Sequence, residues 1–239
     1  MSDSSKTTGA GSDTPSIAFA DRVTRIAPSP TVAISSLALD LRAAGRDVIG
    51  LAVGEPDFDT PPHVKEAAIR AIHDGHTKYT QVDGIPELKE AVAEKFRREN
   101  GLDVSAANIS VGTGGKQVLF NALMATVQAG DEVIIPAPYW VSFAGITEVA
   151  GGTPVFLASG FADGLKLSPE RLEAAITPRS RWVIINSPSN PTGMGYSADE
   201  LRAFADVIRR YPNLMVISDD LYEHLTYCLL YTSPSPRDS

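Results

Sequence analysis

Apolar residues in this chain follow two alternating rhythms. One is short, unbroken and rich in β-branched side chains: Val133 to Ile135, Val155 to Leu157, Trp182 to Ile185 and Leu214 to Ile217. Runs of this kind suit parallel strands covered by helices on both faces. The other keeps helical spacing. It includes Val118, Leu119, Ala122, Leu123 and Val127 up to Gly130; Leu172, Ala175 and Ile176 behind Ser168; and Leu201, Phe204, Ala205 and Ile208 behind Ser197 and Glu200, a capping-box pair. Strand and helix in alternation predict a largely parallel α/β sheet with right-handed crossovers.

Upstream the pattern is less regular. Val32, Leu37, Leu39 and Leu41 predict a helix over 31–44 that ends at Gly45. A short strand is expected over 48–53, before a polar turn. Thr60 and Pro61 then open a helix carrying Val64, Ala67, Ala68, Ala71 and Ile72, and another starts near Pro86 with Leu88, Ala91, Val92 and Phe96, stopped by Gly101. Residues 109–111 read as one more short strand. Residues 1–16 hold almost no large apolar side chains and are expected to be a flexible tail.

Polar residues cluster after the apolar runs rather than within them. The run ending at Ile185 stops in Asn186-Ser187-Pro188-Ser189-Asn190-Pro191-Thr192-Gly193, where each proline fixes φ and restricts the residue before it, so Ser187 and Asn190 are held rather than free. Gly114 and Gly115, Trp140, Asn190, and Asp219 with Tyr222 follow four separate strands. A parallel sheet gathers such ends at its carboxyl edge, where open α/β sheets bind ligands. The same turns would also serve as plain connections.

The candidate chemistry is specific in part. Gly112 to Lys116 at a helix start offers free amides and a positive dipole end, which suit a phosphate, although the glycines would equally permit a tight turn. It is not a Walker loop, because Ser110 and Gln117 stand where glycine and Ser/Thr are needed, and it does not match GxGxxG. A carboxylate such as Asp219 behind a buried strand is costly unless it meets a cation or several donors, and a protonated heteroaromatic ring nitrogen would be such a partner. Of Asp219 and Asp220, one is expected to face solvent or cap a turn. Trp140 offers a face for stacking on a ring, or simply core packing.

Composition narrows the classes. At 239 residues and 43% hydrophobic the chain can bury a large core, and a net charge of -8 without a Lys/Arg run argues against a nucleic-acid surface. Cys228 is the only cysteine, and His63, His73, His76 and His224 are scattered, so no metal site is expected. No apolar stretch is long enough for a membrane span and no signal-peptide core is evident, which makes the cytoplasm the default location.

Six stretches together carry a resemblance: Gly54-Glu55-Pro56-Asp57-Phe58-Asp59-Thr60-Pro61, Lys78-Tyr79, Gly114-Gly115-Lys116-Gln117, Pro138-Tyr139-Trp140, the 186–193 turn, and Ser218-Asp219-Asp220-Leu221-Tyr222. In that order they resemble the pyridoxal 5'-phosphate-dependent class I aminotransferases of fold type I, in the bacterial aspartate aminotransferase branch. The resemblance implies amino-group transfer between an amino acid, aspartate in type, and a 2-oxo acid, by a homodimer. It implies that Gly114, Gly115 and Lys116 cradle the cofactor phosphate, with Tyr79 reaching a phosphate across a dimer interface. Trp140 would stack on the pyridine ring, Asp219 would hold the ring nitrogen protonated, and Asn190 and Tyr222 would bond the ring hydroxyl. Gly54, Trp140 and Asn190 would meet the substrate. Asp220 stands where the family usually has glutamate.

The implied domains are 17–60 as an N-terminal segment with part of a small domain and 61–227 as a partial, cofactor-binding large domain, with 228–239 reading as a non-native tail. The family's Schiff-base lysine and a later arginine have no counterpart here, so no catalytic residue is assigned and the chain as given is expected to be inactive. The resemblance also places two later strands between the strand near Ile109 and that near Val183. The alternatives are another fold type I enzyme, a lyase or a carbon-carbon bond-forming enzyme, and a non-catalytic cofactor-binding protein.

Overall fold

The computed structural model describes residues 18–226 except 55 and 57. The expected tail over 1–16, the expected non-native stretch over 228–239 and Cys228 lie outside those residues, as do Glu55 and Asp57 of the first polar turn. Four strands, β1 (Glu132–Ala137), β2 (Thr153–Ala158), β3 (Ser180–Asn186) and β4 (Met215–Asp219), form one sheet in the order β2-β1-β3-β4. Every pairing is parallel, so all four carboxyl ends lie along one edge. At that edge the register sets Asn186 against Asp219.

The helices are α1 (Asp21–Thr24), α2 (Pro30–Ala43), α3 (Pro62–His73), α4 (Pro86–Asn100), α5 (Gly115–Thr126), α6 (Ser142–Val149), α7 (Pro169–Ala175) and α8 (Ala198–Ile208), of which α5 to α8 cover the sheet. The pleat sends alternate strand residues to opposite faces. Val133, Ile135 and Ile184 pack on one face against Leu123 of α5, Val127 just after it, and Phe143 and Ile146 of α6. Ile134, Val183 and Ile185 pack on the other against Leu172 of α7 and Phe204 and Val207 of α8. Val133, Ile134, Ile135 and Val183 are wholly inaccessible to solvent. Each such side chain contributes roughly 1.5–3 kcal/mol of hydrophobic stabilisation, so β1 and β3 are the mechanical centre.

Local chemistry sets the helix ends. Ser197 Oγ accepts from Glu200 N at 3.3 Å while Glu200 Oε2 accepts from Ser197 N at 2.7 Å, which completes the expected capping box of α8. Ser168 caps α7 through Arg171 N, and α4 ends at Gly101 with φ of 68°.

Two expectations are corrected. Residues 48–53 form no strand: Ile49 and Leu51 are 84% and 91% exposed, and no neighbouring strand receives their backbone among the described residues. Residues 109–111 likewise pair with no strand; Val111 N donates to Asp83 O in a loop, although Ile109 is buried. β3 pairs with β1 and β4, and the open edges of the described sheet are β2 and β4. Helix α6 carries no clear pattern in the sequence because it is eight residues long and apolar on most sides.

Candidate functional site

The sheet edge is occupied in chain order by α5, the turn after β1, the 186–193 turn and the turn after β4. Orientation of α5 follows from one bond: Trp182 Nε1, near the start of β3, donates to Oγ1 of Thr126, the last residue of α5, at 2.9 Å. The helix of about 18 Å therefore runs back along β3 and delivers its first residue, Gly115, to the carboxyl edge. Gly114 before it has φ of 85°, a left-handed conformation that side-chain-bearing residues adopt only with strain. The Gly114 amide donates to Gly112 O at 2.9 Å, whereas the amides of Gly115 and Lys116 have no acceptor among the described residues. The anion-binding capacity of the turn thus rests on those two amides and on the Lys116 ammonium, which lies 5.1 Å over the Trp140 ring. Trp140 also packs edge-on against Phe143 and against the core on that face of the sheet, so the core-packing role is present.

The pleat separates the two aspartates. Ile217 packs on the α5 and α6 face, so Asp219, two residues on, belongs to that face too. Ser218 belongs to the opposite face with Val216, and its hydroxyl donates to both carboxylate oxygens of Asp220 at 3.0 and 3.1 Å. Asp220 is half-buried rather than facing solvent, and the turn-capping bond falls on Asp219, whose Oδ1 accepts from Leu221 N at 3.3 Å. Burial raises the pKa of both carboxyls above the ordinary carboxylate value. For Asp219 only that long amide bond opposes the rise, so the site contains an under-partnered acid on the sheet face that α5 covers. A group carrying a ring N–H cation at one end and a phosphate at the other satisfies both needs.

Asn190 and Tyr222 are brought together, with Asn190 Nδ2 donating to the Tyr222 hydroxyl at 3.3 Å. Asn186, given no role from the sequence, holds this corner. Its Oδ1 accepts from Asn190 N at 2.8 Å and its Nδ2 donates to the Asp219 carbonyl at 2.9 Å. A shallow hollow at the same edge is lined by Pro138, Tyr139, Asn186, Ser189, Met194 and Tyr196 among others, but not by Trp140, Asn190 or Asp219. Gly54 and Tyr79 are not drawn into the cluster: no hydrogen bond links either to it among the described residues, and Tyr79 is fully exposed.

Away from the edge, ligand atoms of Glu99, Glu223 and His224 lie within 4.8 Å of one another. The Lys95 ammonium bonds Glu223 and stands 3.7 Å from Glu99, occupying the place a cation would take. No described helix is long and apolar enough to cross a membrane.

Residues 46–233 match the family model for aminotransferase class I and II. The chain is 60% identical over 209 residues to an aspartate/prephenate aminotransferase of Cereibacter sphaeroides, covering 87% of this chain and 52% of that protein. It is 52% identical over 207 residues to the aspartate/prephenate aminotransferase of Nitrosomonas europaea, covering 87% and 52%. Among solved structures, the aspartate aminotransferase of Rhizobium meliloti superposes with a TM-score of 0.89 at 49% identity, covering 92% of this chain and 56% of that one. That of Thermus thermophilus with maleate gives 0.88 at 47%, covering 92% and 57%. The fold is therefore that of the aspartate aminotransferases, and the chain spans about half the length of the relatives it matches.

Proposed function

Because the chain belongs to the class I and II aminotransferases, a family of enzymes, we propose that the whole protein moves an amino group from an aspartate-type amino acid to a 2-oxo acid using pyridoxal 5'-phosphate. The observation that carries this is the under-partnered Asp219 on the face that also holds the free amides of α5 and the Trp140 ring. When bound, the cofactor supplies an electron sink for proton movement at the substrate α-carbon.

The chain's own groups account for the rest. Gly115 and Lys116 would bind the phosphate through amides and ammonium. Trp140 would orient the ring by stacking. Asp219 would hold a proton at the ring nitrogen by accepting from it, and that cation in turn favours the carboxylate over its burial-raised protonated form. Asn190 Nδ2 and the Tyr222 hydroxyl would donate to the ring hydroxyl oxygen, and Asn190 with Gly54 would meet the substrate carboxylate. Full exposure of Tyr79 supports a role in a second copy's site, hence a homodimer.

The test uses the whole protein with pyridoxal 5'-phosphate, aspartate as donor and 2-oxo acids as acceptors. The relatives' names make prephenate the first acceptor to try. Transfer from aspartate with a cofactor-dependent visible band is expected. Elimination or carbon-carbon bond formation without amino transfer would sink the reading.

A further inference from the structure

We infer that Asn186 is a positioning residue for the cofactor site, its one carboxamide fixing the spacing between Asp219 and Asn190. This rests on the reading above, in which those two residues hold the nitrogen and the hydroxyl of one ring. Asn186 is the last residue of β3 and stands in register with Asp219. There the backbone ladder is ending, and its last bond, from Ser187 N to the Asp219 carbonyl, is 3.3 Å long. The Asn186 side chain extends the ladder by a second donor to the same carbonyl at 2.9 Å. With its other end it accepts from Asn190 N at 2.8 Å.

The carboxamide orientation is forced. Asn190 N can only donate and the Asp219 carbonyl can only accept, so Oδ1 and Nδ2 cannot exchange places without losing both bonds. No other side chain of this length offers a neutral donor and acceptor together: aspartate keeps only the acceptor and leucine neither. The turn is then closed by its own bonds, Gly193 N to Ser189 O at 2.7 Å and Ser189 N to Met194 O at 2.9 Å, which pass the position of Asn190 N on to the rest of the turn. From Asn190 the chain of contacts reaches the Tyr222 hydroxyl. Asn186 itself touches neither end of the proposed ring contacts and acts through Asp219 and Asn190.

Asn186→Ala and Asn186→Asp in the whole protein test this. Amide hydrogen exchange is followed without cofactor, and pyridoxal 5'-phosphate affinity is followed by quenching of tryptophan fluorescence across pH. Asn186→Ala is expected to speed exchange at Asn190 at least about tenfold, the scale of one buried hydrogen bond, and to weaken cofactor binding by a similar factor. Exchange in β1 and α8 should not change. Asn186→Asp keeps the acceptor, so Asn190 stays protected, but its carboxylate faces the Asp219 carbonyl. Its cofactor affinity should fall at high pH and recover relative to the unaltered protein as the new carboxyl is protonated and donates again. Unchanged exchange at Asn190 in Asn186→Ala, a uniform rise throughout the sheet, or cofactor affinity in Asn186→Asp that matches the unaltered protein at every pH would each overturn the inference. If the unaltered protein does not bind pyridoxal 5'-phosphate, the proposed function fails, while exchange at Asn190 still decides whether Asn186 clamps the turn.

Discussion

Asp219 and Asp220 illustrate how far a single residue can be judged without its surroundings. Both are half-buried and both carboxyls are pushed upward by burial, so degree of burial does not rank them. The pleat does: Asp219 shares the face of α5, while Asp220 takes the Ser218 hydroxyl on the other side of the strand. Asp219→Ala should therefore weaken pyridoxal 5'-phosphate binding and turnover in the whole protein far more than Asp220→Ala. Loss of a buried, charge-assisted pair is on the order of 2–5 kcal/mol. Equal losses in cofactor titrations of the two variants would reverse the assignment. The pH dependence has a definite sign. Only the carboxylate can accept from a ring N–H, and the cofactor-free carboxyl has a raised pKa, so affinity should fall as pH drops through that raised value. Asp219→Asn should flatten the profile. Asp219, Asn190, Trp140 and Tyr222 were legible as strand-end residues because a parallel sheet makes the carboxyl edge a common address. The role of Asn186 was not, because it depends on register between β3 and β4, which no local pattern encodes.

Among the elements, the four strands of the sheet and most helices follow from periodicity, and the failures share one cause. Residues 48–53 and 109–111 have the same apolar character as β1, but a strand exists only where a partner accepts its backbone bonds, and none does among the described residues. The amino ends of β1 and β3 are fastened by a different device. Buried Glu132 receives Thr177 Oγ1 at 2.6 Å, Arg179 Nε at 2.9 Å and Ser180 Oγ at 3.3 Å, joining the start of β1 to the turn that leads into β3. The Thr177 hydroxyl above all, with Arg179 and Ser180, holds its pKa below the ordinary glutamate value of 4.5, against the opposing effect of burial. A depressed folded-state pKa gives stability that is complete above the unfolded value and is lost as pH falls through the folded one. Glu132→Gln should thus lower Tm at neutral pH by an amount that shrinks below about pH 4. A constant difference across pH would show that shape rather than charge is what Glu132 contributes. At α8, Ser197→Ala removes one half of the capping box and should cost about 1 kcal/mol in denaturant melts, with no effect on cofactor binding.

For the whole molecule, the distribution of apolar surface is uneven in a way that bears on solution behaviour. The sheet and α5 to α8 bury a dense core, whereas the segment before α4 leaves its apolar side chains in solvent. Leu37 and Leu39 of α2 are 56% and 62% exposed, Ile72 of α3 64%, Phe58 85% and Val82 103%. Isolated exposed residues of this kind are ordinary, but a succession through two helices and their connections is a surface that water disfavours and another apolar surface would cover. Among the described residues no strand pairs with the outer edge of β4, so backbone groups beside Ile217 offer a second route to association. The 239-residue chain expressed alone should accordingly self-associate, bind a hydrophobic dye strongly and melt over a broad range. Sedimentation, dye fluorescence and calorimetry read these directly. The melt should be heterogeneous, with exchange protection high in β1 and β3 and low throughout α2 and α3, because only the former are enclosed on both faces. A monodisperse monomer with one sharp calorimetric transition and protected α2 and α3 amides would mean that the exposed faces find cover within a single chain.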